Sequence, residues 1–482
     1  MNVDLGESRR LFLRVSAGAA GSMVLGACGG SDSGEAVVVG VVVPPPAAAP
    51  PPAPPGTNVI DADPSNYLGK IAQLRPGDTL LLAPGNYGVD AQGNDTGSVP
   101  GLPLFNVNGT LAAPITVSGP ASGPMPVLLG RSTHNTVRLS NTSHVVIRRL
   151  EVNGRDRGGA GVATQGPSNH ITIEDCNFLG FGGNNQIVAI STVGQPTWNW
   201  IVRRNLIVGA GTGMYFGNSN GDSPFVNGLI EYNVVRDCLG YCMQIKHQAV
   251  WVAVPAGMPN TKTTTVIRHN VFAKAGNSAT GDLARPNVLV GDSPPSGPGS
   301  SNGFSVYGNF FYQNPTESLF QGEGNVALYA NLMVTNGIAV RVQIHNGAVR
   351  DVRIFHNTVV AGETGIAVSG GAAGYTQRVL ANAIFSEGPA VVLNGALSID
   401  NLSDTRAAAV NYLNKPLASI PSLDLFPKVG ALKKTAADLG GLDTFADWNR
   451  DFNGNAYDPA WRGAYSGEGT NPGWVPALDQ KA

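Results

Sequence analysis

The sequence predicts an all-β fold, a right-handed single-stranded parallel β-helix with an N-terminal cap and an irregular C-terminal segment, on three observations. A short two-strand unit recurs along most of the chain, and an asparagine usually stands at the same corner of that unit. The composition supplies the third: 63 glycines and only 7% aromatic residues suit short strands joined by tight turns better than long helices. Charge narrows the partners. With 31 Lys and Arg against 33 Asp and Glu, no global field draws in nucleic acid, so none is expected as a partner and any polyanion must be held by a local patch.

The N-terminus reads as an address. Ser8, Arg9, Arg10, Leu11, Phe12 and Leu13 resemble the twin-arginine export signal, and the apolar run from Val15 is too short to span a bilayer as a permanent helix. It ends in Leu25, Gly26, Ala27 and Cys28, which resembles a bacterial lipobox and implies lipidation of the Cys28 thiol. Residues 1–28 are thus expected to be a lipoprotein signal, and Gly29 favours passage to the outer membrane, with the body in the cell envelope and touching the membrane only through its anchor. Residues 29–57, with Pro44 to Pro46 and Pro50 to Pro55 among small residues, form a semi-extended linker. Of the other cysteines, Cys238 and Cys242 are close enough in sequence to pair in an oxidising compartment, but their spacing is no metal motif.

Residues 58–410 carry the repeat. Val145 to Val152, Ile171 to Phe178, Trp200 to Ile207, Gly228 to Val235, Thr265 to Phe272, Phe304 to Phe311, Val326 to Met333 and Val352 to Val359 share one pattern: a strand, a corner, a strand. A unit this small cannot bury its own apolar face, so it must stack on copies of itself. Asparagine at the corner (Asn205, Asn233, Asn270, Asn309, Asn331, Asn357, Asn382) predicts a ladder of amides, with Leu150 and Cys176 taking the corner toward the N-terminus. His269 and His356, just before ladder asparagines, are expected to pack rather than react. Residues 411–482 should pack on or cap the solenoid as a monomer, with a short helical pattern between Pro427 and Leu442.

Insertions locate the chemistry. The corner intervals from Asn233 to Asn270 and from Asn270 to Asn309 are longer than the later ones, so the loops Val250 to Thr263 and Asn277 to Gly303 should wall a groove. Between them, Tyr241 to Gln248 alternates Met243 and Ile245 with Gln244 and Lys246, which turns Lys246 outward beside the loops. Treating Leu283 to Val288 as the equivalent stretch of the next coil places Arg285 and Asn287 near Lys246 and His247. Gln321, Glu323, Arg341, Gln343 and His345 should continue the polar stripe on later coils.

Such a stripe suits β-elimination of a uronic-acid glycan. The C5 proton can be removed once the neighbouring carboxylate is neutralised and a base takes the proton. A lysine base needs its pKa lowered by burial and nearby positive charge. A glycoside hydrolase would instead need two facing carboxylates, for which Asp222, Asp237, Asp282, Asp292, Glu317 and Glu323 are available. A uronate epimerase and a non-catalytic glycan-binding surface protein remain as further alternatives.

The run Leu74 to Tyr87, with its Pro-Gly-Asp turn, resembles the opening of secreted β-helix lyases of the pectate-lyase-like superfamily, and Asp451 to Asn455 with Trp461 to Tyr465 resembles their closing segment. That resemblance implies a helix or turn over the open N-terminal end. Around the groove the pattern is similar to polysaccharide lyase family six, the chondroitinase B and alginate lyase type. The resemblance implies Lys246 as the base, Arg285 as its partner, the other stripe residues as substrate contacts, and an acidic polysaccharide as partner. Ca2+ would accompany it, yet Leu239, Gly240, Tyr241 and Cys242 before the lysine lack the family's carboxylates, so no metal ligand is assigned.

Overall fold

The computed structural model describes residues 58–89, 94–95, 100–132 and 134–481; the signal, Cys28 and the proline-rich linker lie outside the described residues. From residue 58 the chain winds as a right-handed parallel β-helix with three sheets, whose strands pair only in parallel. The first sheet runs from Val59–Ala62 to Leu397–Ile399, the second from Asn86–Tyr87 to Leu402–Asp404, and the third from Leu102–Phe105 to Val391–Leu393. Each full coil visits them in that order.

Strand alternation explains the interior. Ile147, Ile173, Val202, Ile230, Ile267, Val306, Leu328, Ile354 and Val379 of the first sheet lie in register above one another, and each is at most 1% exposed. Burying one such side chain contributes about 1.5–3 kcal/mol, which no single coil could collect alone. The N-terminal mouth is covered by the short helix Tyr67–Ile71, whose Tyr67 and Ile71 turn into the core.

The corner between the first and second sheets is built twice over. The residue before each ladder asparagine has positive φ, as at Arg204 (52°), Tyr232 (55°), Ala330 (49°) and Ala381 (52°), a left-handed bend that costs non-glycine residues about 1–2 kcal/mol. The asparagine offsets that cost with its side chain. Asn309 Nδ2 donates to Asn331 Oδ1 (3.0 Å) and Ile267 O (2.9 Å), while its Oδ1 accepts from Asn270 N (2.9 Å) and Nδ2 (3.0 Å). The same pattern links Asn205, Asn233, Asn270, Asn309, Asn331, Asn357, Asn382 and Asn401. Cys176 joins its lower end by donating its backbone N–H to Asn205 Oδ1 (3.1 Å).

The corner histidines pack. His356 is fully buried against Tyr457, ring centroids 3.7 Å apart, and burial pulls its pKa down to about 3. His269 stacks on Tyr232 and faces the Lys481 ammonium. Cys238 and Cys242 are free thiols in the core.

The C-terminal segment contains a small antiparallel hairpin, Leu413–Lys415 with Asp424–Pro427. It also lays Leu425, Phe426, Leu432, Phe452, Trp461 and Tyr465 on the outward apolar residues of the second sheet. Further along, Leu442 and Phe445 cover the outward stack Tyr307, Tyr329 and Phe355 of the first sheet. The helix anticipated over 427–442 does not form; that stretch is turns, because its apolar residues Leu432, Leu439 and Leu442 are drawn separately onto the sheets beneath.

Asn309→Ala leaves Asn270, Ile267 and Asn331 short of hydrogen-bond partners in a closed interior. It should cost about 3 kcal/mol, read as a lower denaturant midpoint; an unchanged midpoint would show that the ladder does not hold the corner.

Candidate functional site

From Arg149 and Leu150 onward, the corner between the first and second sheets keeps a constant two residues between the strands. The other two turns expand in the middle coils. Successive ladder residues are 37 and 39 positions apart from Asn233 to Asn309, against 22 from Asn309 to Asn331. The insertions leave the third sheet at Met243–Ile245 and Val288–Val290, the strands beside which Lys246 sits.

The outward row of the third sheet reads Tyr215, Gln244, Leu289, Gln321, Arg341 in register. Gln321 and Arg341 are therefore neighbours, as expected, and Arg341 forms an ion pair with Glu317 (3.2 Å). Lys246 follows two positions after Gln244, half-buried, with its Nζ 5.8 Å from the centre of the Tyr215 ring. Tyr215 itself donates or accepts a hydrogen bond with Ser219 Oγ at 2.9 Å.

The coil alignment expected for Arg285 is corrected by the register. Gln244 pairs with Leu289 and Ile245 with Val290, so the place one coil above Lys246 falls to Gly291, not Arg285. A side chain there would run into the His247 backbone, with a Cβ 2.2 Å from His247 N. Arg285 instead belongs to the turn before the strand. Its guanidinium carbon lies 5.9 Å from the centre of the Tyr241 ring, and it lines a narrow cleft with Tyr215, Tyr241 and Gln244. That turn is anchored from beneath: Lys274 Nζ and Asn314 Nδ2 both donate to Arg285 O at 2.9 Å.

Two expected substrate contacts have structural work instead. Asn287 is fully buried, donating to Phe272 O (3.1 Å) and Gln313 O (3.2 Å) and accepting from Asn314 Nδ2 (3.0 Å), so it closes the turn rather than facing solvent. Glu323 is 1% exposed, and its Oε2 accepts the backbone N–H groups of His345, Asn346 and Gly347, each at 2.9 Å. Gln343, one coil above Glu323, and the exposed His345 flank this turn. His247 is half-buried, and its Nδ1 is enclosed without a hydrogen-bond partner.

Burial lowers the pKa of three lysines, Lys274, Lys481 and Lys246, and of these Lys246 is the one that is not fully buried. Burial lowers its pKa first, the Arg285 guanidinium lowers it further, and Glu323 pulls the other way. Burial likewise lowers His247 and raises the phenols of Tyr215 and Tyr241, which therefore stay protonated. On the far side of His247 lies a cavity of about 340 Å³ bordered by Asp292, Asn346, Arg350 and Tyr375. Asp292 and Arg350 form a buried ion pair (3.0 Å, both side chains 5% exposed) that sequence reasoning missed, because the partners are far apart in the chain and share no periodic signal. Tyr215 had a signal: it stands one coil below Gln244 on the same row.

The residues present do not fit a calcium site of the expected kind. Tyr241 and Cys242 offer no carboxylate, Glu323 and Asp292 direct oxygens at backbone N–H groups, and no three His, Cys, Asp or Glu gather as a ligand set among the described residues.

No protein-family model and no curated protein matches the chain. Among solved structures, an alginate lyase from Paenibacillus sp. str. FPU-7 aligns over 72% of this chain and all of its own, at 12% identity and a TM-score of 0.37. A GH136 lacto-N-biosidase from Eubacterium ramulus covers 72% of this chain and 68% of its own, at 12% identity and TM-score 0.38. Pectate lyase Pel9A covers 72% and 77%, at 13% and 0.35. At such values the likeness is one of fold, and activity must be argued from the site.

A pH titration tests the electrostatics without a substrate. In spectra of the carbon-13 methylated protein, Lys246 should titrate below the ordinary 10.5, and Arg285→Gln should move it back up while Glu323→Gln moves it further down. A Lys246 that titrates at or above 10.5 would contradict the assignment.

Proposed function

We propose that this chain is a polysaccharide lyase-like enzyme that cleaves an acidic, uronic-acid glycan by β-elimination, with Lys246 as the general base. The observation that carries this reading is the placement of Lys246. Its charged form is disfavoured by burial and by Arg285, and its Nζ stands over the ring of Tyr215, which borders the narrow cleft that Arg285 lines. A lysine so placed holds more of its neutral, proton-accepting form at a given pH than an exposed one.

In this reading Arg285 meets the uronate carboxylate and stabilises the charge that develops when the C5 proton leaves. Lys246 Nζ takes that proton, the electron pair becomes the C4–C5 double bond, and the C4–O bond breaks. The protonated phenol of Tyr241 or Tyr215 returns a proton to the departing oxygen. Gln321, partly exposed on the outward row, is the neutral contact for sugar hydroxyls, whereas Gln244 two coils below it is buried.

The hydrolase alternative finds less support, because the nearby carboxylates are engaged: Glu317 with Arg341, Asp292 with Arg350, and Glu323 with three backbone amides. The same proposal places the protein in the bacterial envelope, as a monomer tethered by lipid on Cys28.

Lys246→Ala should lower the rate by about a hundredfold or more while changing stability by under about 0.5 kcal/mol, since an outward side chain adds little to the core. The assay is the ultraviolet absorbance of the unsaturated product. Because the base must be neutral, the parent rate should climb with pH and level off earlier than an ordinary lysine would allow. An alanine variant that melts and cleaves like the parent overturns the assignment.

A further inference from the structure

A further cavity lies away from Lys246. It is a groove of about 610 Å³ over the outer face of the first sheet, a volume in the range of sites that hold whole ligands. Its floor is made by the outward residues Val266, Ser305, Ala327 and Arg353, and its walls are the inserted loop 295–301 and the C-terminal stretch 441–446.

We propose that this groove is a second glycan-binding site, which holds a further stretch of the same acidic chain whose reacting residue lies at Lys246. The inference rests on the reading of the ligand as an acidic glycan, and adds where its remainder goes.

Continuity is the first argument. Pro295, Arg350 and Tyr375 border both this groove and the 340 Å³ cavity that begins at His247, the residue next to Lys246. A chain leaving Lys246 thus has one connected path across the edge between the third and first sheets. Preformation is the second. Arg350 donates to Ser293 O (3.1 Å), Pro294 O (3.0 Å) and Ser300 O (2.6 Å) while paired to Asp292, so a buried guanidinium fixes the near wall. Trp251 packs beneath Gly299 of the same wall and donates to Gln248 Oε1 (3.2 Å). A rigid wall lowers the ordering cost of binding.

Chemistry is the third. The groove carries two cations that are not locked in a close ion pair: exposed Lys262, and Arg353, whose contact with Asp351 is a loose 3.9 Å. Asp351 is the one carboxylate on the lining, and its Oδ1 accepts the Thr376 N–H. The balance therefore favours an anionic chain. At the junction Tyr375 is 44% exposed, a flat amphipathic ring on which a sugar face can stack. Small floor residues, Gly303, Ser305 and Ala327, let the chain lie close to the sheet.

The test compares ligand lengths on the full chain. In a Lys246→Ala background, which prevents turnover, a long polyuronate and its trimer are titrated calorimetrically at low salt. Lys262→Glu should weaken the polymer by about tenfold, the scale of reversing one exposed charge, and Tyr375→Ala should weaken it severalfold. The trimer, held at the Lys246 cleft alone, should bind as before. Polymer binding that is equally tight in both variants overturns the second site and leaves the lyase reading standing, and so does an equal loss for polymer and trimer. A parent protein that binds neither polymer nor trimer overturns both.

Discussion

The amide ladder between the first and second sheets is the constraint on which the rest of the molecule depends. A buried asparagine must place two donors and an acceptor, and here each does so on the coils above and below. Leaving any of these groups without a partner would cost about 1–3 kcal/mol, so the corner tolerates neither insertion nor slippage. The left-handed residue before each asparagine makes the bend sharp enough for the next strand to start at once. Coil spacing, sheet register and the aliphatic columns inside all follow from that repeated corner.

Variation is consequently pushed to the other two turns. Segments 246–263 and 291–302 leave the third sheet and re-enter the solenoid at the first, and 274–287 joins the second sheet to the third, all in the middle coils. Polar side chains placed there are neither in the core nor in free solvent. Lys246 illustrates the effect: its Nζ stands 5.8 Å from the centre of the Tyr215 ring, and its charge is opposed by Arg285 and favoured by Glu323. The buried hydrogen bonds from Lys274 and Asn314 to Arg285 O fix where that guanidinium starts, so the electrostatic environment is built into the fold and needs no ligand to assemble it.

The C-terminal segment decides which outer faces remain open. It lies over the apolar outward residues of the second sheet and over the aromatic stack of the first, where exposed Tyr307, Tyr329 and Phe355 would otherwise meet water. The outward row of the third sheet mixes Gln244, Gln321 and Arg341 with Tyr215 and Leu289, and offers that segment less apolar surface to cover. The face that carries Lys246 is therefore left free of that segment for the same hydrophobic reason that the others are covered. Where the C-terminal cover stops short of the inserted loop, the long groove over the first sheet remains between them.

Much of this was legible in the sequence because it is periodic. The strand, corner, strand unit announces stacking; the asparagines announce the ladder; uneven corner spacing announces where loops emerge; and alternation around Met243 and Ile245 turns Lys246 outward. Residues outside the period were not legible. Arg285 was aligned to the wrong position because the turn before Val288–Val290 adds residues that carry no repeat, and only strand pairing assigns Gly291 to that place. Asn287 and Glu323 look like free polar groups in the chain, and become buried clamps only when Gln313 O and Asn314 Nδ2 reach the first and three backbone N–H groups of the next coil reach the second. Asp292 and Arg350, 58 residues apart, meet because two coils bring them together. Periodic local pattern thus determined the scaffold and the direction of its side chains, whereas the partner of each polar group was decided by tertiary stacking, since a hydrogen bond depends on position in space and not on spacing along the chain.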